Sequence, residues 1–144
     1  MSYNALDIAY YIINKCYEQD VSISNLKLQH TLYYIQEYFL KYKKKFFFWN
    51  EIEAWQFGAV IPDVYYKFCG CGAMSLTFCI TQIKDIIVLT KEEEKIINNI
   101  IHNLTKLEPW DIVRKVYPRN CPWEMVYNNG KGNREIIHLE DFYV

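Results

Sequence analysis

Hydrophobic residues return at helical spacing through the first forty positions. Ala5, Ile8, Ala9, Ile12, Ile13 and Cys16 lie three or four apart, so residues 4–19 predict an amphipathic helix with Cys16 turned inward. Gln19, Asp20 and Ser22 break the pattern. Ser24 is placed to cap a second helix whose stripe is Leu28, Leu32, Ile35, Phe39 and Tyr42. Tyr33, Tyr34 and Tyr38 fall off that stripe and are free for a second packing layer or for partner contacts. The helix runs out in Lys41, Tyr42, Lys43, Lys44 and Lys45, where cations complement the negative end of the helix dipole. The apolar residues 46–49 read as a packed connection or short strand.

The period then changes. Ile52, Ala54 and Gln56 alternate with Glu53 and Trp55, which predicts a short strand with two unlike faces. Gly58 permits a sharp bend, Pro62 fits the first turn of a helix, and Asp63 beside it suits the positive end of the dipole. The expectation is strand, corner, then helix over 62–68, with Trp55 and Tyr65 flanking the corner. A buried Trp removes about 150–250 Å² from water, roughly 4–6 kcal/mol gross, against about 1 kcal/mol for a helix cap. Trp55, Gly58 and Pro62 are therefore the expected structural corner, with Trp55 in the core.

Gly70 and Gly72 end that helix. Residues 75–89 hold the β-branched pieces 76–80 and 86–89, read as loop and strand-like segments. Thr90, Lys91, Glu92 and Glu93 form a capping box, after which Ile96, Ile97, Ile100, Ile101 and Leu104 face the core through residue 106. Pro109-Trp110 and Pro122-Trp123 start two more helices, the first stopped by Pro118, the second ending near 129–130. Residues 134–138 suit a short strand and 141–143 a closing turn or helix end. The pattern amounts to an α+β, mainly helical chain: one compact domain over 1–144, about six helices, and a small two- or three-stranded sheet.

Composition adds a surface. With 144 residues, 51% hydrophobic and 17% aromatic, the chain can bury a well-filled core. Thirteen Tyr and four Trp exceed what such a core needs, so some of them are expected outside as binding anchors. A net charge of −1 gives no global pull toward nucleic acid or anionic membrane. No basic start leads into an apolar run and no stretch reaches a membrane span, so a cytoplasmic protein is expected. Five cysteines, an odd number without framework spacing, fit reduced thiols there.

No chemical motif stands out. Cys69, Cys71 and Cys79 have the wrong spacing for structural zinc and lack a second pair, so ordinary half-buried thiols are expected. His30, His102 and His138 lie in no catalytic pattern; for His30 and His102, in helices, surface or satisfied-core positions are expected. Gly70, Cys71 and Gly72 lack the rest of a phosphate loop. Lysines 41–45, interleaved with Tyr42 and followed by aromatics, have the composition of a nucleic-acid contact, but the near-zero net charge argues against it. The expectation is no enzyme, no metal, no cofactor and no small-molecule substrate.

The string Ile-Glu-Ala-Trp-Gln-Phe-Gly-Ala-Val-Ile-Pro-Asp-Val-Tyr, residues 52–65, resembles the signature of the Panacea antitoxin-domain family, which includes SocA-like and GepA-like phage-associated proteins. Residues 24–34 resemble that family's Ser-x-Leu-Lys-Leu-Gln helix, and Cys121-Pro122-Trp123 and residues 133–143 match its later elements more loosely. Ala59 stands where the family usually has Pro, and His30 and Thr31 stand where Lys-Leu is usual. The resemblance implies an antitoxin that neutralises a protein toxin by direct contact, borne in many cases by phages or mobile elements. The contact candidates are Tyr33, Tyr34, Tyr38, Phe57, Tyr65 and Trp110, with Lys27, Gln56 and Asp63 supplying polar contacts. The alternative is a mobile-element inhibitor of a bacterial defence enzyme, of the anti-CRISPR type, on the same fold.

Overall fold

A computed structural model describes residues 2–80 and 83–143 of the chain. Helix α1, Ala5–Glu18, begins where the Asn4 side chain accepts the Leu6 N–H, and it buries Ala5, Ile8, Ala9, Ile12, Ile13 and Cys16 as its spacing predicts. Helix α2, Asn25–Lys43, begins where Ser24 accepts the Lys27 N–H and ends at Lys44 in the left-handed conformation. Leu28, Leu32, Ile35 and Phe39 are buried, each worth about 1.5–3 kcal/mol. Tyr42 is not: it is 61% exposed, because the core has ended one turn earlier.

The buried polar side chains of α2 organise the segment after it. Gln36 accepts the Phe47 and Phe48 amides at 2.8 and 3.2 Å and donates to the Phe48 carbonyl at 2.7 Å. Residues 46–49 are thus a packed connection, with Phe47 stacked on Phe39 at 4.2 Å between centroids. Asn50 accepts the Ala5 N–H and donates to Asp63, joining the start of α1 to the start of the third helix. Satisfying such groups inside the fold avoids about 1–3 kcal/mol each.

Next come two strands, β1 (Glu53–Trp55) and β2 (Gly58–Val60), paired antiparallel with Trp55 opposite Gly58. The predicted corner at Gly58 is therefore a hairpin turning at Gln56 and Phe57, and α3 (Pro62–Phe68) starts only after the second strand. Gln56 sits in the turn, so it does not share a face with Ile52 and Ala54. On the other side of β1 runs residues 134–137, held by Arg134 N–H to Ala54 O at 2.6 Å, Glu135 O from Ala54 N–H at 2.8 Å and Ile137 N–H to Ile52 O at 2.8 Å.

A 3-10 turn, Cys69–Cys71, extends α3, and the chain continues through α4 (Leu76–Cys79), α5 (Lys91–Thr105), α6 (Pro109–Val116), α7 (Pro122–Tyr127) and α8 (Glu140–Tyr143). The Thr90 capping box and both Pro-Trp helix starts form as the sequence predicts. The strand-like pieces 76–80 and 86–89 do not form strands among the described residues; residues 81 and 82 between them lie outside the description. The sheet has no edge to offer them. Residues 134–137 cover one side of β1, while the Ala59 and Ile61 amides beyond β2 are taken by Tyr117 and Gln29. Leu76 is buried instead, its amide on the Ile23 carbonyl at 2.7 Å. Cys71 and Cys79 are joined as a disulfide, which corrects the expectation of reduced thiols at those two positions.

Candidate functional site

The N-terminal half of α2 grips the hairpin from below. Gln29 accepts the Ile61 N–H at 2.9 Å and donates to Asn25, whose own amide reaches the Tyr65 carbonyl at 3.1 Å. At the next residue of α2, His30 Nδ1 lies 2.7 Å from the Tyr117 hydroxyl, and that oxygen also accepts the Ala59 N–H at 2.9 Å. Burial pushes the His30 imidazole down to about 4, so it is neutral near pH 7. His30 is a satisfied core histidine. Gly58 has φ +134°, and a Cβ there would stand 2.6 Å from the Tyr117 hydroxyl, so both backbone and space require glycine.

This footing pushes the outer face of the hairpin into solvent. Phe57, at the turn, is 70% exposed, and Leu26 on the first turn of α2 is 43% exposed beside it. Trp55 is half-buried rather than in the core, because the inner face of β1 belongs to Ala54. Its ring meets Tyr65 at 5.0 Å and Tyr66 at 6.0 Å, and its indole N–H donates to Glu53 at 2.8 Å. Trp123 on α7 donates its indole N–H to the Trp55 carbonyl at 2.9 Å, fixing the strand from the other side. The Arg134 guanidinium lies over the Trp55 ring, 4.2 Å from its centroid. Together these residues frame a cleft of about 290 Å³ whose lining includes Leu26, Phe57, Tyr65 and Arg134.

Gln56, Phe57 and Tyr65, from the residues singled out in the sequence, thus meet on one surface with Trp55. The others do not join it. Tyr34 and Tyr38 are half-buried on the outward face of α2, where Tyr38 packs on Tyr42 at 4.9 Å. Trp110 is 60% exposed at the start of α6. Lys27 is half-buried and its carbonyl takes the Thr31 hydroxyl. Asp63 spends its carboxylate on Asn50. Tyr33 is fully buried against Tyr117, which removes it from any contact surface while the fold is intact. Arg134 was not legible beforehand: it lies 79 positions after Trp55 in the sequence, and no local pattern marks it.

Other chemistry is sparse. Among the described residues no three His, Cys, Asp or Glu side chains gather as metal ligands, and Cys69 is an exposed free thiol next to the disulfide. The lysine run is partly absorbed by the fold: Lys43 pairs with Glu92 at 2.8 Å and Lys44 donates to the Tyr143 carbonyl at 2.7 Å. Among the described residues no helix is long and apolar enough to cross a membrane.

The hairpin is braced by α2 and carries Phe57 and the half-buried Trp55 on its outer face. Residues 28–124 match the Antitoxin SocA-like, Panacea domain family, and the chain belongs to it. It is similar to the Antitoxin SocA of Caulobacter vibrioides (strain NA1000 / CB15N), 27% identical over 135 residues that cover 88% of this chain and 72% of that one. No solved structure matches the chain.

Proposed function

We propose that the chain is an antitoxin that neutralises a protein toxin by direct contact through the hairpin tip, without a reaction of its own. The observation that carries this reading is Phe57, a large apolar side chain held 70% in solvent on a hairpin whose base is fully hydrogen-bonded. Singly exposed apolar residues are common, and Phe78 and Val88 are more exposed still. But Phe57 shares one cleft with Leu26, Trp55 and Tyr65, and clustered aromatic anchors dominate binding energy at protein interfaces. Family membership supports the antitoxin role. On this reading residues 1–144 act as one Panacea-like domain in the cytoplasm, with Trp55, Tyr65 and Gln56 around the anchor.

The test co-expresses the chain with the protein encoded beside its own gene. That protein alone should arrest growth, the pair should restore it, and the two should co-elute. Phe57→Asp should abolish co-elution and rescue while leaving the circular dichroism unchanged. Rescue that survives Phe57→Asp would overturn the assignment of the surface. Catalytic turnover by the purified chain, with no complex, would overturn the binding role.

A further inference from the structure

We infer that the hairpin-tip site recognises an acidic side chain set beside a large apolar one on its partner, with Arg134 taking the carboxylate. The inference rests on the reading of this site as the toxin-contact surface and adds the chemistry of the group it grips.

Arg134 is held ready for such a task. Its guanidinium lies over the Trp55 ring, 4.2 Å from the centroid, and one terminal nitrogen donates to the Tyr66 hydroxyl at 3.3 Å. A guanidinium carries five N–H donors, so most of the fork stays unused. Among the described residues no carboxylate forms an ion pair with it. Glu53, on the same strand as Trp55, is engaged by the indole N–H.

Arg134 sits at φ +69°, a left-handed conformation that costs an ordinary residue about 1–2 kcal/mol. An exposed cation over an aromatic ring returns only about 0.5–1 kcal/mol. With the Tyr66 hydrogen bond adding about 0.5–1.5 kcal/mol, the contacts of the side chain roughly offset that strain, whereas Gly or Asn would sit without it. Asp20, Lys44 and Asp85 hold the same left-handed backbone, so the case for Arg134 rests on its placed guanidinium, unpaired among the described residues.

The rest of the lining completes the match. Leu26, Phe57, Val60 and Tyr65 are apolar or aromatic, and Gln56 and Asn133 are neutral, so the cleft carries one charge and that charge is positive. A partner's apolar side chain fits beside Phe57, while its neighbouring Asp or Glu meets the guanidinium through two parallel hydrogen bonds. A basic segment would be repelled, which gives the site selectivity as well as affinity.

The test uses the isotope-labelled full chain and two capped tetrapeptides, acetyl-Ala-Phe-Glu-Ala-amide and its Gln counterpart, followed at millimolar concentration through the Trp55 indole and Arg134 Nε signals. The Glu peptide should bind roughly tenfold more tightly, the size of one charged hydrogen bond. In Arg134→Asn, which tolerates the left-handed backbone, the difference should vanish with circular dichroism unchanged. Equal binding of the two peptides, no shift from either, or a preference that survives Arg134→Asn would overturn the inference. A third peptide, acetyl-Ala-Phe with a free carboxyl end, separates a chain terminus from a side chain: binding of that peptide alone would also overturn it. If Phe57→Asp abolishes rescue but the two peptides bind alike, this inference alone fails. If rescue survives Phe57→Asp while the peptides are discriminated, the toxin-contact reading alone fails.

Discussion

The Tyr117 hydroxyl lies 2.7 Å from His30 Nδ1, and the same oxygen accepts the Ala59 N–H at 2.9 Å. One small group of atoms ties α2, the second strand of the hairpin and the end of α6 together beneath the exposed tip.

Gly58→Ala should be among the most damaging single substitutions in the chain. The new Cβ would meet the Tyr117 hydroxyl at 2.6 Å and His30 Cε1 at 2.8 Å, on a backbone at φ +134°. Strain and the broken hydrogen bonds together should cost about 3 kcal/mol or more, read as a lowered urea midpoint. Gly130→Ala, also at positive φ but with its nearest neighbour at 3.8 Å, should cost only about 1 kcal/mol.

Tyr33→Phe should leave stability unchanged or raise it, by up to about 1 kcal/mol. The Tyr33 hydroxyl is buried with no hydrogen-bond partner, so removing it deletes a desolvated polar group and no bond. Thermal unfolding gives the sign directly, and a clear loss of stability would mean that the hydroxyl is satisfied in solution.

Acid should weaken the fold through His30. Burial holds its imidazole at about 4 against an ordinary 6.5, so between those values the unfolded chain binds a proton that the native chain refuses. Stability then falls as pH drops from about 6.5 toward 4 and levels off below, by up to about 3 kcal/mol. Glu37, raised by burial, acts in the opposite sense: its contribution is lost as pH rises through its native value. Comparing unfolding midpoints of wild type and His30→Gln across that window isolates the histidine, and the wild type should show the steeper acid loss.

Reduction should loosen the loop between α3 and α4. The Cys71–Cys79 bridge closes a span of eight residues, for which chain entropy alone allows about 2.5 kcal/mol. Adding dithiothreitol should lower the urea midpoint by up to that much in the wild type. Cys71→Ser should abolish the response, whereas Cys69→Ser should keep it. In a reducing compartment the open form would prevail.

Six of the helices were legible from a stripe or a start signal, among them Ser24, Thr90 and proline at 62, 109 and 122, whereas α4, Leu76–Cys79, lies in a piece that read as strand-like. The failures came through non-local competition. The β-branched run at 86–89 has strand propensity, yet both sides of the two-stranded sheet are occupied, so propensity had nothing to pair with. Trp55 read as core because size and hydrophobicity favour burial, whereas the strand's pleat gave the inner face to Ala54. Of the candidate contacts, Gln56, Phe57 and Tyr65 could be grouped from one contiguous motif. Arg134 reaches them only through a sheet pairing between residues far apart in sequence, and no periodicity records that.

Gln29 and Gln36 stand seven residues apart on α2, roughly 10 Å along its axis. Each clasps the main chain, one at Ile61 and the other at Phe47 and Phe48. The helix thereby acts as a ruler: whatever the chain does between those clasps, it must leave and return at a fixed gauge. Residues added or removed next to either glutamine would pull a buried amide off its mark. The turn at Gln56 and Phe57 is the one stretch in that span free of such measurement. New lengths and new side chains can be tried there while the body underneath keeps its dimensions, which leaves the tip open to retargeting.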